Sequence, residues 1–472
     1  MSLDQVKHFI EAKNYTQAIT LLETIRKNFE NSPLYHLYYG AALAALGHDA
    51  LAIASFEKCI QLDPTLLAPY KNLALICHRD GHHKADKYLT LANWIDPQDE
   101  NIYSIIKTKY PKLILYPKSE IVFYTGTPFL ENKFSPLSLS EKAVGGSETA
   151  FVMMAHELAR LGHKVSCFCN TPNAGVFDGV AYYPVQQFFL YAKEHKIPNL
   201  ICSRFIYPLE KGFSGEKNYV WLHELVMFAS ADDISAVDPL VTKYICLSDY
   251  HVKMIKNRYQ LADQKFIKTR NGFIEADFRF SNKRQNKSII YFSRPERGLK
   301  MVLEMFEKIK SLWPDAVLHV CHYTQASALT EDESLKPFLK SLSKEGIVFH
   351  GGLNKKELAE LLSRTEIGLY PNILDVETSC IAAIECMAAG CVMISSDRGA
   401  LPETIANRET GIIVEYGEGD VFLEQRLFEA VKNCFENADE LERLSKKAIE
   451  YAQKIHPWSK IAAEWGDIIE KK

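Results

Sequence analysis

From residue 120 onward, short apolar runs rich in β-branched and aromatic residues alternate with longer amphipathic stretches, and few folds satisfy that alternation. Strand-like runs fall at 121–126 (IVFYTG), 164–169 (KVSCFC), 199–204 (NLICSR), 219–224 (YVWLHE), 243–248 (KYICLS) and 266–271 (FIKTRN), with helical patterns at 148–161, 186–194 and 249–259. Strands apolar on both faces fit a parallel sheet covered by helices on each side. The polar stretch SNKRQNK at 281–287 breaks the series, and a second one follows. Its strands are predicted at 288–293, 316–322, 347–351, 367–371 and 391–396, and its helices near 298–312, 354–364, 378–389 and 420–453. A last amphipathic helix is expected in HPWSKIAAEWGDIIE, from residue 456. The expected fold class is α/β, with two doubly wound, Rossmann-like domains whose strand carboxyl ends face a common cleft.

The first hundred residues follow a different period. Ala18, Leu22 and Ile25 recur 34 positions later as Ala52, Phe56 and Cys59, and 33 positions after that as Ala85, Leu89 and Ala92. Gly47 recurs as Gly81, and Pro64 as Pro97. Each copy holds two helix-length patterns separated by a polar turn, at 13–14, 47–49 and 80–83. A small residue lets two helices approach, the large one four places on fills the gap, and a proline ends the second helix. This pattern resembles the tetratricopeptide repeat (TPR), most closely in the second copy, with Gly40, Gly47, Ala52, Phe56 and Pro64. The resemblance implies an all-α repeat domain with a concave face for a peptide or protein partner. Residues 98–118, with Pro111 and Pro117, are expected to form a packed connector.

Composition narrows the function. With 55 basic and 59 acidic residues among 472, the net charge of −4 gives no electrostatic case for nucleic acid. The eleven cysteines are odd in number, scattered among apolar residues and without a CxxC pair, as in a protein of reduced, buried thiols. The opening MSLDQVKHF lacks the apolar stretch of a signal peptide, and no run approaches the roughly 18 apolar residues of a membrane span. A soluble, cytoplasmic protein with at most peripheral membrane contact is expected.

Four segments can carry chemistry. In DVETSCIAAIECMAAGCVMISS, residues 375–396, Glu385 is the one charge between Thr378 and Ile394, and burying a lone carboxylate is costly unless it is hydrogen-bonded. Glu377 lies eight residues earlier; on one helix the two would stand ~12 Å apart along the axis. The amides of Thr378, Ser379 and Cys380 would then open a helix N-terminus suited to a diphosphate. In YFSRPERGLK, Arg294, Arg297 and Lys300 sit where a strand meets a helix, and Gly298 lets the backbone turn closely. Gly145 and Gly146 precede Ser147, a candidate N-cap, and a helix from Glu148, a turn suited to an anion or an acceptor. His223, near the end of a strand, can hydrogen-bond a sugar hydroxyl across the cleft. Plainer readings stand beside these: a helix with two solvated glutamates, a surface charge cluster, a tight turn and a structural histidine.

Taken in order, these segments resemble the retaining glycosyltransferases of the GT-B fold, family 4 (group 1) type, over residues 120–470. The signature is Glu377, seven residues, then Glu385 and a small-residue strand; the glycine loop at 145–148, the Asn-Gly turn after 266–270 and GALPETI with ETGIIV at 399–414 match the family's order. Ser379 and Cys380 replace the Phe-Gly pair the family often carries. The resemblance implies residues 119–275 as the acceptor domain, 276–455 as the nucleotide-sugar donor domain, and 456–472 as a helix packing back on the first. Residues 1–112 hold the repeats and connector. It implies Glu377 on the donor sugar, Glu385 on the ribose, and Arg294 and Arg297 on the departing diphosphate, helped by the amides of 378–380. His223 would meet the transferred sugar, and Gly145, Gly146 and Gly298 would line the phosphate and acceptor region. No metal or other cofactor is implied; the donor is a nucleotide-diphosphate sugar and the acceptor a protein, glycan or lipid-linked glycan. The alternatives are a TPR scaffold with an inactive or sugar-nucleotide-sensing GT-B part, and an enzyme similar to the protein O-GlcNAc transferases, which invert configuration and lack the glutamate pair. A dehydrogenase is disfavoured, because no GxGxxG opens either sheet.

Overall fold

The computed structural model describes residues 2–114, 119–131, 133–230, 234–278, 284–323, 332–417 and 419–470. Pro117 and positions 281–283 of the polar stretch lie outside the described residues. Seven helices occupy the N-terminal part: Leu3–Glu11, Tyr15–Phe29, Pro33–Ala45, Asp49–Leu62, Leu67–Arg79, Ala85–Ile95 and Glu100–Lys109. The repeating positions Ala18, Leu22, Ala52, Phe56, Ala85 and Leu89 are all buried. Gly40 shows why a small residue is needed, since a Cβ there would lie 2.9 Å from the Phe56 ring. The expected connector contains the seventh helix, its N-terminus capped by the Asp99 carboxylate, which accepts from the amides of Asn101 and Ile102.

The first sheet contains β1 (Ile121–Tyr124), β2 (Val165–Cys169), β3 (Gly175–Phe177), β4 (Val180–Pro184), β5 (Asn199–Ser203), β6 (Lys217–Trp221), β7 (Lys243–Cys246) and β8 (Phe266–Lys268). Their order is β3-β4-β2-β1-β5-β6-β7-β8, parallel except for the edge strand β3. The second sheet is wholly parallel, with β9 (Ser288–Tyr291), β10 (Val317–Cys321), β11 (Ile347–Gly351), β12 (Ile367–Tyr370), β13 (Val392–Ser396) and β14 (Gly411–Val414) in the order β11-β10-β9-β12-β13-β14. That is the doubly wound 3-2-1-4-5-6 order. The central strands β1, β9 and β12 are buried along their whole length, as their unbroken apolar runs require.

Three strands escape the sequence pattern: β3, set among turn residues at 170–179, β4, which follows them, and β14, inside the segment that carries the ETGIIV motif. The helix expected over 420–453 is two, Leu423–Glu436 and Ala438–Ile455, divided at Asn437, whose side chain accepts from the Glu440 amide and caps the second. The helix Trp458–Glu470 lies against the first sheet, where Trp465 meets Trp221 edge to face at 4.8 Å and donates from Nε1 to Thr269 at 3.0 Å. The chain therefore crosses between the sheets twice, after β8 and again before this helix. The crossings touch: the Phe273 amide donates to the His456 carbonyl at 3.0 Å, and His456 Nδ1 to the Asn271 carbonyl at 3.0 Å. All eleven cysteines are buried and unbridged.

Candidate functional site

In each sheet the strand order reverses beside its first strand, between β1 and β5 and between β9 and β12. Such reversals open a crevice at the carboxyl ends, where ligands bind. The two crevices share one cleft of about 1140 Å³. Every residue named from the sequence as catalytic lines it: Glu377, Arg294, Arg297 and His223. Glu385, Thr378, Ser379, Cys380, Gly145 and Gly146 line it as well.

Arg294 and Arg297 follow β9. Gly298 turns the chain with φ +118°, and a Cβ there would stand 2.6 Å from the Pro371 carbonyl, so the loop after β9 lies against the loop after β12. That contact brings Arg297 onto Glu377, with which it forms an ion pair, and Tyr370 at the end of β12 donates to the same carboxylate oxygen at 2.6 Å. Burial works against the Arg297 charge, but Glu377 and Tyr370 outweigh it and the pKa lies above the usual arginine value. Arg294 forms no ion pair among the described residues, leaving its charge to the cleft. Lys300, grouped with them in sequence, is exposed and faces Glu304 at 3.8 Å, one helical turn on.

The glutamates do not share a helix. The helix begins at Ile381, with Cys380 as its N-cap, so Glu377 to Ser379 precede it and the amides of 378–380 are not its first turn. The reason is tertiary. The Glu377 carbonyl accepts from the Ala400 amide at 2.8 Å, Thr378 Oγ1 donates to the His223 carbonyl at 2.8 Å, and the Ser379 carbonyl accepts from Asn271 Nδ2 at 2.8 Å. These bonds hold the segment outside the helix, at the cleft. The ~12 Å helical spacing expected from sequence therefore does not apply. Glu385 is on the helix, 5% exposed, and meets Lys355 Nζ at 2.6 Å. Lys355 is the partner the sequence required but did not reveal. Asp277 lies near enough to feel both charges; burial, then Glu385, raises its pKa while Lys355 opposes.

His223 stands two residues beyond β6 with Nε2 buried and without a hydrogen-bond partner. Burial, then the Arg204 charge, lowers its pKa well below the usual value, so the ring is neutral at physiological pH. The glycine loop differs from its reading in one respect. The helix starts at Gly146 with Gly145 as N-cap, and Ser147 instead donates to Glu148 Oε2 at 2.9 Å. Among residues missed in sequence, Arg204 bridges Glu148 at 3.2 Å and Glu224 at 2.7 Å on the first-sheet wall. Among the described residues no group of three or more His, Cys, Asp or Glu side chains could hold a metal ion, and no helix is long and apolar enough to cross a membrane.

Chains of known structure share this arrangement. Sucrose-phosphate synthase from Thermosynechococcus elongatus superposes with a TM-score of 0.56 at 16% identity, over 74% of this chain and 98% of its own. Anabaena HepE, solved in complex with UDP-glucose, gives 0.56 at 12% identity over 75% and 99%. At these identities the likeness is one of fold: two Rossmann-like sheets in a GT-B-like arrangement. In sequence, the chain is 28% identical over 161 residues to the MMP alpha-(1->4)-mannosyltransferase of Mycolicibacterium hassiacum, 33% of this chain and 38% of that one. Among the glycosyltransferase relatives matched, the aligned stretches span only 30% to 42% of the relative's length. Residues 273–453, which carry Arg297, Glu377 and Glu385, match the family model of glycosyl transferases group 1 and form a domain of that family.

Proposed function

We propose that this protein is a retaining glycosyltransferase, moving a hexose from a nucleotide-diphosphate sugar to an acceptor hydroxyl without a metal ion. The observation that carries this reading is the charge arrangement at the second-sheet crevice: Arg297 paired with Glu377, and Arg294 free to meet an anion, facing His223 on the opposite wall. A departing diphosphate gains one negative charge as the glycosidic bond breaks, and preoriented cations in the cleft meet it without reorganisation. The N-terminus of the Ile381–Ala389 helix adds the positive end of its dipole at the same place. Glu377 would hold hydroxyls of the hexose and Glu385 those of the ribose. Neutral His223 would accept or donate a hydrogen bond to the transferred sugar. Retention follows if the acceptor attacks from the face the diphosphate leaves, with the phosphate taking the acceptor's proton. The helical repeats would bind the acceptor or a partner.

A thermal-shift panel of UDP, GDP and their sugars, with and without magnesium, tests this reading. One sugar nucleotide should raise Tm selectively and independently of magnesium; a ligand at a hundred times its Kd adds ~2.7 kcal/mol. In the same protein Arg297→Ala should lower kcat at least a hundredfold, and Glu385→Gln should raise the donor KM about tenfold with a smaller change in kcat. No shift with any nucleotide would leave the repeats as the functional part and the fold as a scaffold.

A further inference from the structure

The first-sheet crevice holds a polar group that the donor reading leaves unused. Glu148 follows β1, Arg204 follows β5 and Glu224 follows β6, so the three converge where the first sheet reverses its order. Arg204 has φ +67°, a left-handed conformation that non-glycine residues seldom adopt. It is held there by backbone bonds on both sides: its amide donates to the Trp221 carbonyl at 2.9 Å, and its carbonyl accepts from the Phe228 amide at 3.0 Å. The strain aims the guanidinium between the two carboxylates.

Two atoms of this cluster are incomplete. Glu224 Oε2 and Arg204 Nε are both buried and neither has a hydrogen-bond partner. A buried polar atom without a partner is costly, and the rest of each group reaches the cleft, the Arg204 and Glu224 side chains being 22% and 30% exposed there. One is an acceptor and the other a donor, and a sugar hydroxyl is both. Burial, opposed by Arg204, raises the Glu224 pKa, as befits a carboxyl closed off from water. Beside them Phe205 and Phe228 stack with ring centroids 4.9 Å apart, the Arg204 guanidinium lies 5.1 Å from the Phe228 ring, and Phe228 remains 36% exposed to the cleft. An aromatic face next to paired donor and acceptor atoms suits a ring with polar edges and an apolar face. An extended peptide would instead ask for a row of backbone partners, which these side chains do not supply.

We propose that Arg204, Glu224 and Phe228 form the acceptor site and that the acceptor is itself a sugar: a pyranose whose hydroxyls meet the cleft-facing parts of the Glu224 carboxylate and the Arg204 guanidinium while its apolar face covers Phe228. This rests on the transferase reading for the reaction, but the site can be tested without turnover. Saturation-transfer NMR on the full chain would use methyl α-glucopyranoside, methyl α-mannopyranoside, methyl β-galactopyranoside and a serine-containing peptide as probes, with UDP and GDP as separate ligands. At least one glycoside should show saturation transfer, and Glu224→Gln and Phe228→Ala should each weaken it at least tenfold. In transfer assays the acceptor KM of both variants should rise at least tenfold, with the acceptor KM moving more than the donor KM. Phe228→Ala guards against misfolding, since that ring is partly exposed. Glycosides that all fail to bind, or that bind both variants as tightly as the parent, would overturn the proposal, as would transfer to the peptide alone. Failure of UDP and GDP to bind while a glycoside does would refute the donor reading and leave the sugar site standing.

Discussion

Arg297 and Glu377 form an ion pair in a place where either charge alone would be expensive, and so do Lys355 and Glu385. Breaking such a pair on one side leaves a buried charge, at about 3–5 kcal/mol. Both members of the first pair and one of the second were legible in the sequence. Glu385 stood out because a single charge in an apolar run must have a reason, and the arginines because they sat where a strand met a helix. Lys355 was not legible: LNKKELAELL reads as an ordinary helix start, and pairing across thirty positions is a tertiary fact. Arg204 carried no signal either, since its backbone strain comes from its neighbours. The buried histidines lead to a pH prediction. Burial, the largest influence on each, pushes the pKa of His251, His319 and His456 down to about 4. These rings are neutral in the folded protein, while the unfolded chain takes up protons near pH 6.5. Their contribution to stability is complete above that value and is lost as pH falls toward 4, at up to about 4 kcal/mol per pH unit for three rings. Glu157, Glu224, Glu366 and Asp277, raised by burial, offset part of this. The urea midpoint should therefore fall steadily from pH 7 to pH 5; a flat or rising midpoint would contradict the assignment.

Elements were read best where a pattern is long and local. The central strands and the amphipathic helices follow from periodicity. Element ends, by contrast, were set by partners elsewhere in the chain, as at Ile381, where three hydrogen bonds from distant segments keep 377–379 out of the helix. Glu403 is a second case. Its segment, GALPETI, was noted for its likeness alone, yet its carboxylate accepts from the amides of Asp249 and Tyr250, both at 2.7 Å. Those amides open the helix Asp249–Tyr259 in the other half of the molecule. The cap forms only while the two halves stay close. Charge-assisted caps contribute on the order of 1–2 kcal/mol, so Glu403→Ala should shift the population toward open forms. Small-angle scattering should show a larger radius of gyration for the variant in the presence of a saturating nucleotide. Equal radii would reduce Glu403 to a local cap.

At the scale of the molecule, the helical part from Leu43 onward shares an apolar core with one face of the first sheet. Leu89, Trp94 and Ile95 belong to the same apolar cluster as Tyr124, Phe189 and Val220, and Trp94 stacks on Tyr207 at 4.5 Å. Tyr207 also donates to the Ile95 carbonyl at 3.2 Å. The sequence pointed to a packed connector after the repeats but not to the surface they rest on; periodicity reports the inside of each unit and not what lies against its outer face. With a shared core the two parts should melt together. Calorimetry should show residues 1–112 unfolding in the same transition as the first sheet, and Trp94→Ala should cost about 3–5 kcal/mol and lower that transition as a whole. A separate, unaffected transition for the repeats would refute the shared core. The two strands of chain that pass between the sheets lie side by side, bonded through Phe273, His456 and Asn271. A single tether would permit a swivel in any direction. Two joined at their midpoints behave like a door hung on one jamb, able to swing along a single arc, so that both walls of the cleft return to the same register each time it shuts.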